Sequence, residues 1–183
     1  MAKQFDALSD AHQRFVEEQH IFFCATAAAD GRVNVSPKGM DALRVLGPNR
    51  IIWLNLTGSG NETAGHLRQI PRMTLMWCSF TKRPQIMRAY GSARAVHIND
   101  PDWAALIAHF GDRLGARQIF DLQIAMVQTS CGYAVPFMDY AGERDTLTRS
   151  YGDDDDAAFR SYWKTRNGQT IDGLPTGIEA NLE

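Results

Sequence analysis

Apolar residues in this chain come in short runs of strand length, separated by turn-forming residues. IFFCATA (21–27) is one continuous run. Asp30-Gly31 marks a hairpin turn, and RVNVS (32–36) alternates with period two. That alternation sets Arg32, Asn34 and Ser36 on one face of a strand and Val33 and Val35 on the other. ALRVLG, a Gly-Pro-Asn turn (47–49) and RIIWLN form a second hairpin. RMTLMWCS (72–79) and QIMRAYGSARAV (85–96) are two more strands, and Gly91 inside the second marks a bulge or a close backbone approach. FDLQIAMVQTSCGYAVPF (120–137) reads largely as a strand ending at Gly132 and Pro136.

Helical patterns are fewer. Residues 9–19 form a short surface helix behind a Ser9 or Asp10 cap. A second helix runs from a cap at Ser59, Asn61 or Thr63 through Arg68 and stops before Pro71. DPDWAALIAHF (100–110) is a third, and DDDD (153–156) precedes a last one carrying Phe159, Tyr162 and Trp163. The tail after Gly168 reads as loosely ordered. Six or so strands with short turns and peripheral helices predict a mainly β, six-stranded closed barrel rather than β-α-β units. At 183 residues the expectation is one domain, 1–183, with a polar helical appendage from about residue 145.

Composition changes this picture little. A net charge of −2 gives no general attraction to nucleic acid or an anionic membrane, so any anion site must be local. No apolar run approaches the ~20 residues of a membrane span, and the polar N-terminus lacks the pattern of a signal peptide. Cys24, Cys78 and Cys131 are odd in number and widely spaced, which suits buried free thiols in a cytoplasmic protein. No metal-ligand spacing is visible among cysteines or histidines, and DDDD lacks the spaced ligands of a calcium loop. Trp53 and Trp77 read as core residues.

The candidate chemistry lies between Gly31 and Trp77. The stretch TGSGNET (57–63) is a loop of small residues that opens into a helix. Such a loop can aim backbone N–H groups and hydroxyls at one anion, most often a phosphate. It can equally be a flexible turn with a plain helix cap. Asn34, Ser36 and Lys38 on the preceding hairpin would add polar groups and one cation, though Lys38 also fits a solvated loop. Arg88 sits in an apolar strand, where it either pairs with a carboxylate such as Asp41 or Glu62 or meets a ligand. Cys131 has no histidine near it in sequence to make it a nucleophile, and His66 reads as a helix-surface histidine beside the loop.

The order of these pieces resembles the pyridoxamine 5′-phosphate oxidase superfamily of FMN-binding split β-barrels. The resemblance covers roughly residues 12 to 140 and rests on GRVNVSPK, WLNLTGSGNETAGHL, IPRMTLMW and IMRAYGSA. SCGYAVP looks like a signature of a bacterial branch of the family. The resemblance implies a homodimer with FMN in a groove between subunits. By position, Arg32 through Pro37 match the first flavin-contacting strand and Leu54 and Asn55 the second. Ser59, Asn61 and Thr63 fall in the phosphate loop, and Arg88 lies on a strand that approaches the ring. The family's Arg-Lys pair is replaced here by Gly-Asn-Glu-Thr, so phosphate charge falls to Lys38, Arg32 or Arg88, with Glu62 turned away to Ser59. The basic substrate motif of the true oxidases is not recognisable, which argues against vitamin B6 oxidation. An FMN-dependent oxidoreductase with a small-molecule substrate or electron donor is expected. A flavin or haem carrier, or an F420-dependent reductase, are the alternatives. The dimer is expected to bury apolar surface from the Ile86–Tyr90 and Leu122–Val127 runs.

Overall fold

A computed structural model describes residues 2–182. The chain order is β1 (Lys3–Phe5), α1 (Asp10–Glu17), β2 (Phe22–Thr26), β3 (Asn34–Lys38), β4 (Leu43–Gly47), β5 (Arg50–Leu56), α2 (Glu62–Gln69), β6 (Arg72–Cys78), β7 (Ile86–His97), α3 (Trp103–Ile107), β8 (Ala116–Ser130), α4 (Thr146–Tyr151), α5 (Asp156–Arg166) and a final 3₁₀ turn (Ile178–Asn181). All strands pair antiparallel in the order β3-β2-β6-β7-β8-β5-β4, and β1 adds to β8. The sheet has eight strands rather than six or so: seven correspond to the runs read above, and the eighth, β1, is too short to betray itself by pattern.

β3 and β4 lie at opposite ends of the pairing order, yet Lys38 Nζ on β3 stands 5.2 Å from the centre of the Trp53 ring on β5. The sheet has therefore curled on itself into a split barrel. Inside it, β2 buries Phe22 and Cys24, β6 buries Met73, Leu75 and Trp77, and β8 buries Phe120, Leu122 and Ile124. α1 closes one end with Phe15 and Val16, and its cap is Ser9: His12 N–H donates to Ser9 Oγ, and Ser9 N–H donates back to His12 Nδ1. This reciprocal pair satisfies two orphan donors of the first turn.

The apolar run in β5 has a different cause from simple alternation. Ile51 and Trp53 face the barrel interior, while Ile52 and Leu54 face a second core with Val96, Leu106, Phe110 and Ile119. A strand covered on both sides reads as unbroken hydrophobicity. Gly91 sits at a register shift between β7 and β8, where an added Cβ would stand 2.0 Å from the Gln123 carbonyl oxygen. The close approach expected there is thus between two backbones.

Three boundaries moved. β8 begins at Ala116 and ends at Ser130, α3 is only five residues long, and the tail after Gly168 is packed. Asn181 is 0% exposed and Ile178 is buried in a third core with Tyr151, Phe159 and Trp163. The tail looked loose because its sequence is polar, but its amides and hydroxyls are spent on internal hydrogen bonds. Among the described residues, no helix is long and apolar enough to cross a membrane.

Candidate functional site

β3, β5, β8 and the start of α2 converge on one niche. Its walls include Asn34, Ser36 and Lys38 from β3, Trp53 and Asn55 from β5, Gly60 to Ala64 from the loop and α2, and Gln118 and Phe120 from β8. The two-residue alternation of β3 aims its polar residues here and sends Val33 and Val35, 70% and 61% exposed, to the outside. Ser36 Oγ donates to Asn34 Oδ1 (2.9 Å), and Asn34 Nδ2 donates to Thr63 Oγ1 (3.2 Å). The hairpin and the helix start are thereby tied into one polar surface. The niche is nearly filled, with about 10 Å³ left open. Lys38 also lines an adjoining groove of about 970 Å³, bounded by His20, Met40, Phe80, Met138 and Tyr140.

The niche is lined by one lysine, Lys38, and one carboxylate, Glu62, whose oxygens are engaged by two backbone N–H groups. Burial lowers the Lys38 ammonium from the ordinary lysine value, and the nearby Arg117 lowers it further. Cys24, beneath it and 3.9 Å from Thr63 Oγ1, has its thiol pushed up to about 11 by burial, so it is neutral and inert at physiological pH. The N–H groups of Glu62, Thr63 and Ala64, in the first turn of α2, have no acceptor among the described residues. Trp53 Nε1 is buried without a partner among the described residues, on a ring that lines the niche. Uncompensated donors plus a buried cation are the chemistry of an anion site.

Of the nine residues the sequence singles out, six line this niche: Asn34, Ser36, Lys38, Asn55, Asn61 and Thr63. Three do not. Arg32 lies at the hairpin tip, where its backbone N–H and guanidinium both bond Asp172. Ser59 is exposed and caps nothing; Asn61 is the residue before α2, and Glu62 turns to Asn61 N–H (3.0 Å) and Ile171 N–H (3.3 Å) instead. Arg88 points from β7 to the outside of the barrel, beside Met76 and Gln128. Neither proposed carboxylate meets it, since Asp41 pairs with Arg44 and Arg113 and Glu62 is engaged as above. Leu54 also faces away, into the second core.

Asn61 lines the niche, but its side chain is committed elsewhere. Nδ2 donates to the carbonyls of Arg166 (3.0 Å) and Gln169 (3.4 Å), and Oδ1 accepts from Arg117 (3.3 Å). His66 is not on a helix surface; it is 1% exposed and its Nδ1 lies 3.1 Å from Thr26 Oγ1. Cys131 is exposed rather than buried. Sequence reasoning missed Arg117 and Gln118, whose strand was expected to begin only at residue 120. No group of three or more potential metal ligands occurs among the described residues.

An antiparallel sheet curled into a split barrel, with a polar niche at its edge, defines the protein's class. The model of the pyridoxamine 5′-phosphate oxidase family matches residues 8–131, and the chain belongs to that family. A pyridoxamine 5′-phosphate oxidase family protein, ustO of Aspergillus flavus, is 38% identical over 147 residues, covering 78% of this chain and 59% of that protein. The chain thus spans under two thirds of that relative's length. This relative is fungal, so the assignment stops at the family and does not extend to a bacterial branch. Among solved structures, a Lactobacillus delbrueckii protein assigned to pyridoxamine 5′-phosphate oxidase superposes with a TM-score of 0.54 at 20% identity, covering 67% of this chain and 94% of that one. The heme storage protein HutZ of Vibrio cholerae gives 0.51 at 21% identity, covering 69% and 97%. At these identities the likeness concerns the fold.

Proposed function

We propose that the protein binds FMN and is a flavin-dependent oxidoreductase distinct from the vitamin B6 oxidases. The carrying observation is the convergence of Lys38, Ser36, Thr63 and the unsatisfied N–H groups of α2 on one niche, whose lining carboxylate, Glu62, is engaged by the N–H groups of Asn61 and Ile171. These donors fit a phosphate, which would sit at the mouth of the nearly filled niche against Lys38 and the helix start. When bound, the flavin ring supplies the redox chemistry by accepting a hydride or electrons. The chain's own part is to hold the phosphate through Lys38 and α2 and to keep Asn34 and Ser36 oriented through their mutual hydrogen bond. No acid–base pair is required of the protein for that division of labour.

The proposal extends to a homodimer. The outer barrel face carries two residue rows across five strands, Val35-Ala25-Thr74-Tyr90-Met126 and Pro37-Phe23-Met76-Arg88-Gln128. Of the Ile86–Tyr90 and Leu122–Val127 runs, Met87, Ala89, Leu122, Ile124 and Val127 are spent on the barrel core, while Arg88, Tyr90 and Met126 belong to this face. Exposed valines on the reverse of the niche strand favour a second copy of the chain as the cover. Arg88, unpaired on that face, would then be carried to the partner's flavin.

A histidine-ligated haem needs an imidazole free to face a porphyrin-sized cavity. His20 borders the large groove, but its ring is stacked on Tyr140 with centres 3.6 Å apart. The visible spectrum of the purified protein tests the reading. Flavin bands support it, and a Soret band overturns it in favour of haem.

A further inference from the structure

Arg117 is 1% exposed, and its guanidinium meets only neutral acceptors. Nη1 donates to Gly58 O (2.9 Å), Asn61 Oδ1 (3.3 Å) and Asn167 Oδ1 (2.6 Å), and Nη2 donates to Gly60 O (2.7 Å). Nε is buried with no acceptor among the described residues. A guanidinium taken out of water without an anion is costly, and a filler at this position would more cheaply be apolar. Burial lowers the pKa of Arg117 to about 10, which leaves it charged at neutral pH.

The same residue is sewn to the end of the chain. Its carbonyl accepts from Asn181 Nδ2 (2.7 Å), and Asn167, its guanidinium partner, also donates to Gly58 O (3.0 Å). Thr176 Oγ1 donates to Asn167 O (2.5 Å) and fixes that residue in turn. Further along the loop, Trp163 Nε1 donates to Thr57 Oγ1 (2.8 Å) and Tyr151 OH to Thr57 O (2.7 Å). Thr57, Gly58, Gly60 and Asn61 are therefore all held from behind, while the N–H groups of Glu62, Thr63 and Ala64 are left to face a ligand. The residues matched by the family model end at 131, so this clasp from Tyr151 to Asn181 lies beyond them.

We propose that Arg117 is the positioning residue of the anion site, pinning the Thr57–Asn61 loop to the C-terminal clasp and supplying from beneath the positive field that the loop itself lacks. The inference rests on the phosphate reading above and deepens it. Anion recognition here is a joint product of the barrel and the tail. Arg117 itself touches no ligand. Its effect passes through loop shape and through a field that also reaches Lys38.

The test uses the full-length chain with Arg117→Met, Arg117→Lys and Asn167→Ala, each titrated with FMN and with riboflavin. Riboflavin has no phosphate, so a change in loop shape or field should leave its affinity within about twofold while FMN affinity falls about tenfold or more. Arg117→Lys should recover part of the loss, because the charge stays while the planar fork is gone. Equal losses for both flavins mark general destabilisation and overturn the inference, as does an unchanged FMN affinity. Should Arg117→Met not fold, Asn167→Ala decides by the same ratio. Wild-type protein that shows no preference for FMN overturns the phosphate reading, and this inference with it; a wild-type preference that survives in the variants overturns only the role of Arg117.

Discussion

The side-chain amide of Asn34 donates to Thr63 Oγ1 at 3.2 Å, joining the first hairpin to the first turn of α2 across 29 residues of sequence. The link ties the polar groups of the hairpin and of the helix start, the donors proposed for a phosphate, into one surface. Asn34→Ala should remove that tie and one polar group of the niche. We expect FMN affinity to fall by about ten- to a hundredfold, corresponding to roughly 1–3 kcal/mol, with little change in melting temperature. Isothermal titration of the variant measures the loss.

Lys38 gives the site a pH signature. Burial lowers its pKa in the free protein, and a bound phosphate dianion stabilises the ammonium and raises it again. Affinity is then full at neutral pH, falls as pH climbs through the lowered free-state value, and levels off above the bound-state value. The fall should begin below the ordinary lysine range, and Lys38→Met should abolish it. For folding the sign is opposite to that of a salt-bridged lysine: the charged form disfavours the folded state, so the cost is present below the folded pKa and is relieved as pH rises through it.

Asn61→Ala is expected to act on stability as well as on binding. Its side chain bridges buried Arg117 to the part-buried carbonyls of Arg166 and Gln169, so truncation breaks the tie between the loop and the C-terminal segment. A loss of about 1–3 kcal/mol should appear in urea unfolding. This differs from a simple phosphate ligand, whose removal would spare the fold.

Gly91→Ala tests the barrel seam. The added methyl would stand 2.0 Å from a backbone oxygen of β8, which cannot move without unpairing the two longest strands. Destabilisation of about 3 kcal/mol or more is expected by thermal or chemical unfolding.

The subunit arrangement has its own probe. Val35→Lys puts a charge on the outer face without touching Asn34 or Ser36 on the other side of the same strand. The variant should sediment as a monomer and release flavin fluorescence at concentrations where the parent protein retains its cofactor.

How far the sequence reveals all this depends on the residue. The alternation in RVNVS places Asn34 and Ser36 in the niche because a strand's period of two is rigid, and the strand runs on to bring Lys38 there too. Gly91 was legible because a glycine inside an apolar strand has few other uses. Arg32 was misplaced from the niche because alternation fixes a face only within the strand, and Arg32 lies before its start, turned to Asp172. Arg117 and Asn167 carry no local signal at all. Fifty residues separate them, and what joins them is a hydrogen bond that only the packed tail brings about. A polar tail spent on buried hydrogen bonds looks, in sequence, the same as one in solvent.

The central claim is that this barrel recognises a flavin through its phosphate. Parallel equilibrium titrations of the apoprotein with FMN and riboflavin test it most directly. The account predicts FMN binding near one site per subunit and riboflavin binding weaker by about tenfold or more. Equal affinities for the two flavins, or binding of neither, would contradict it.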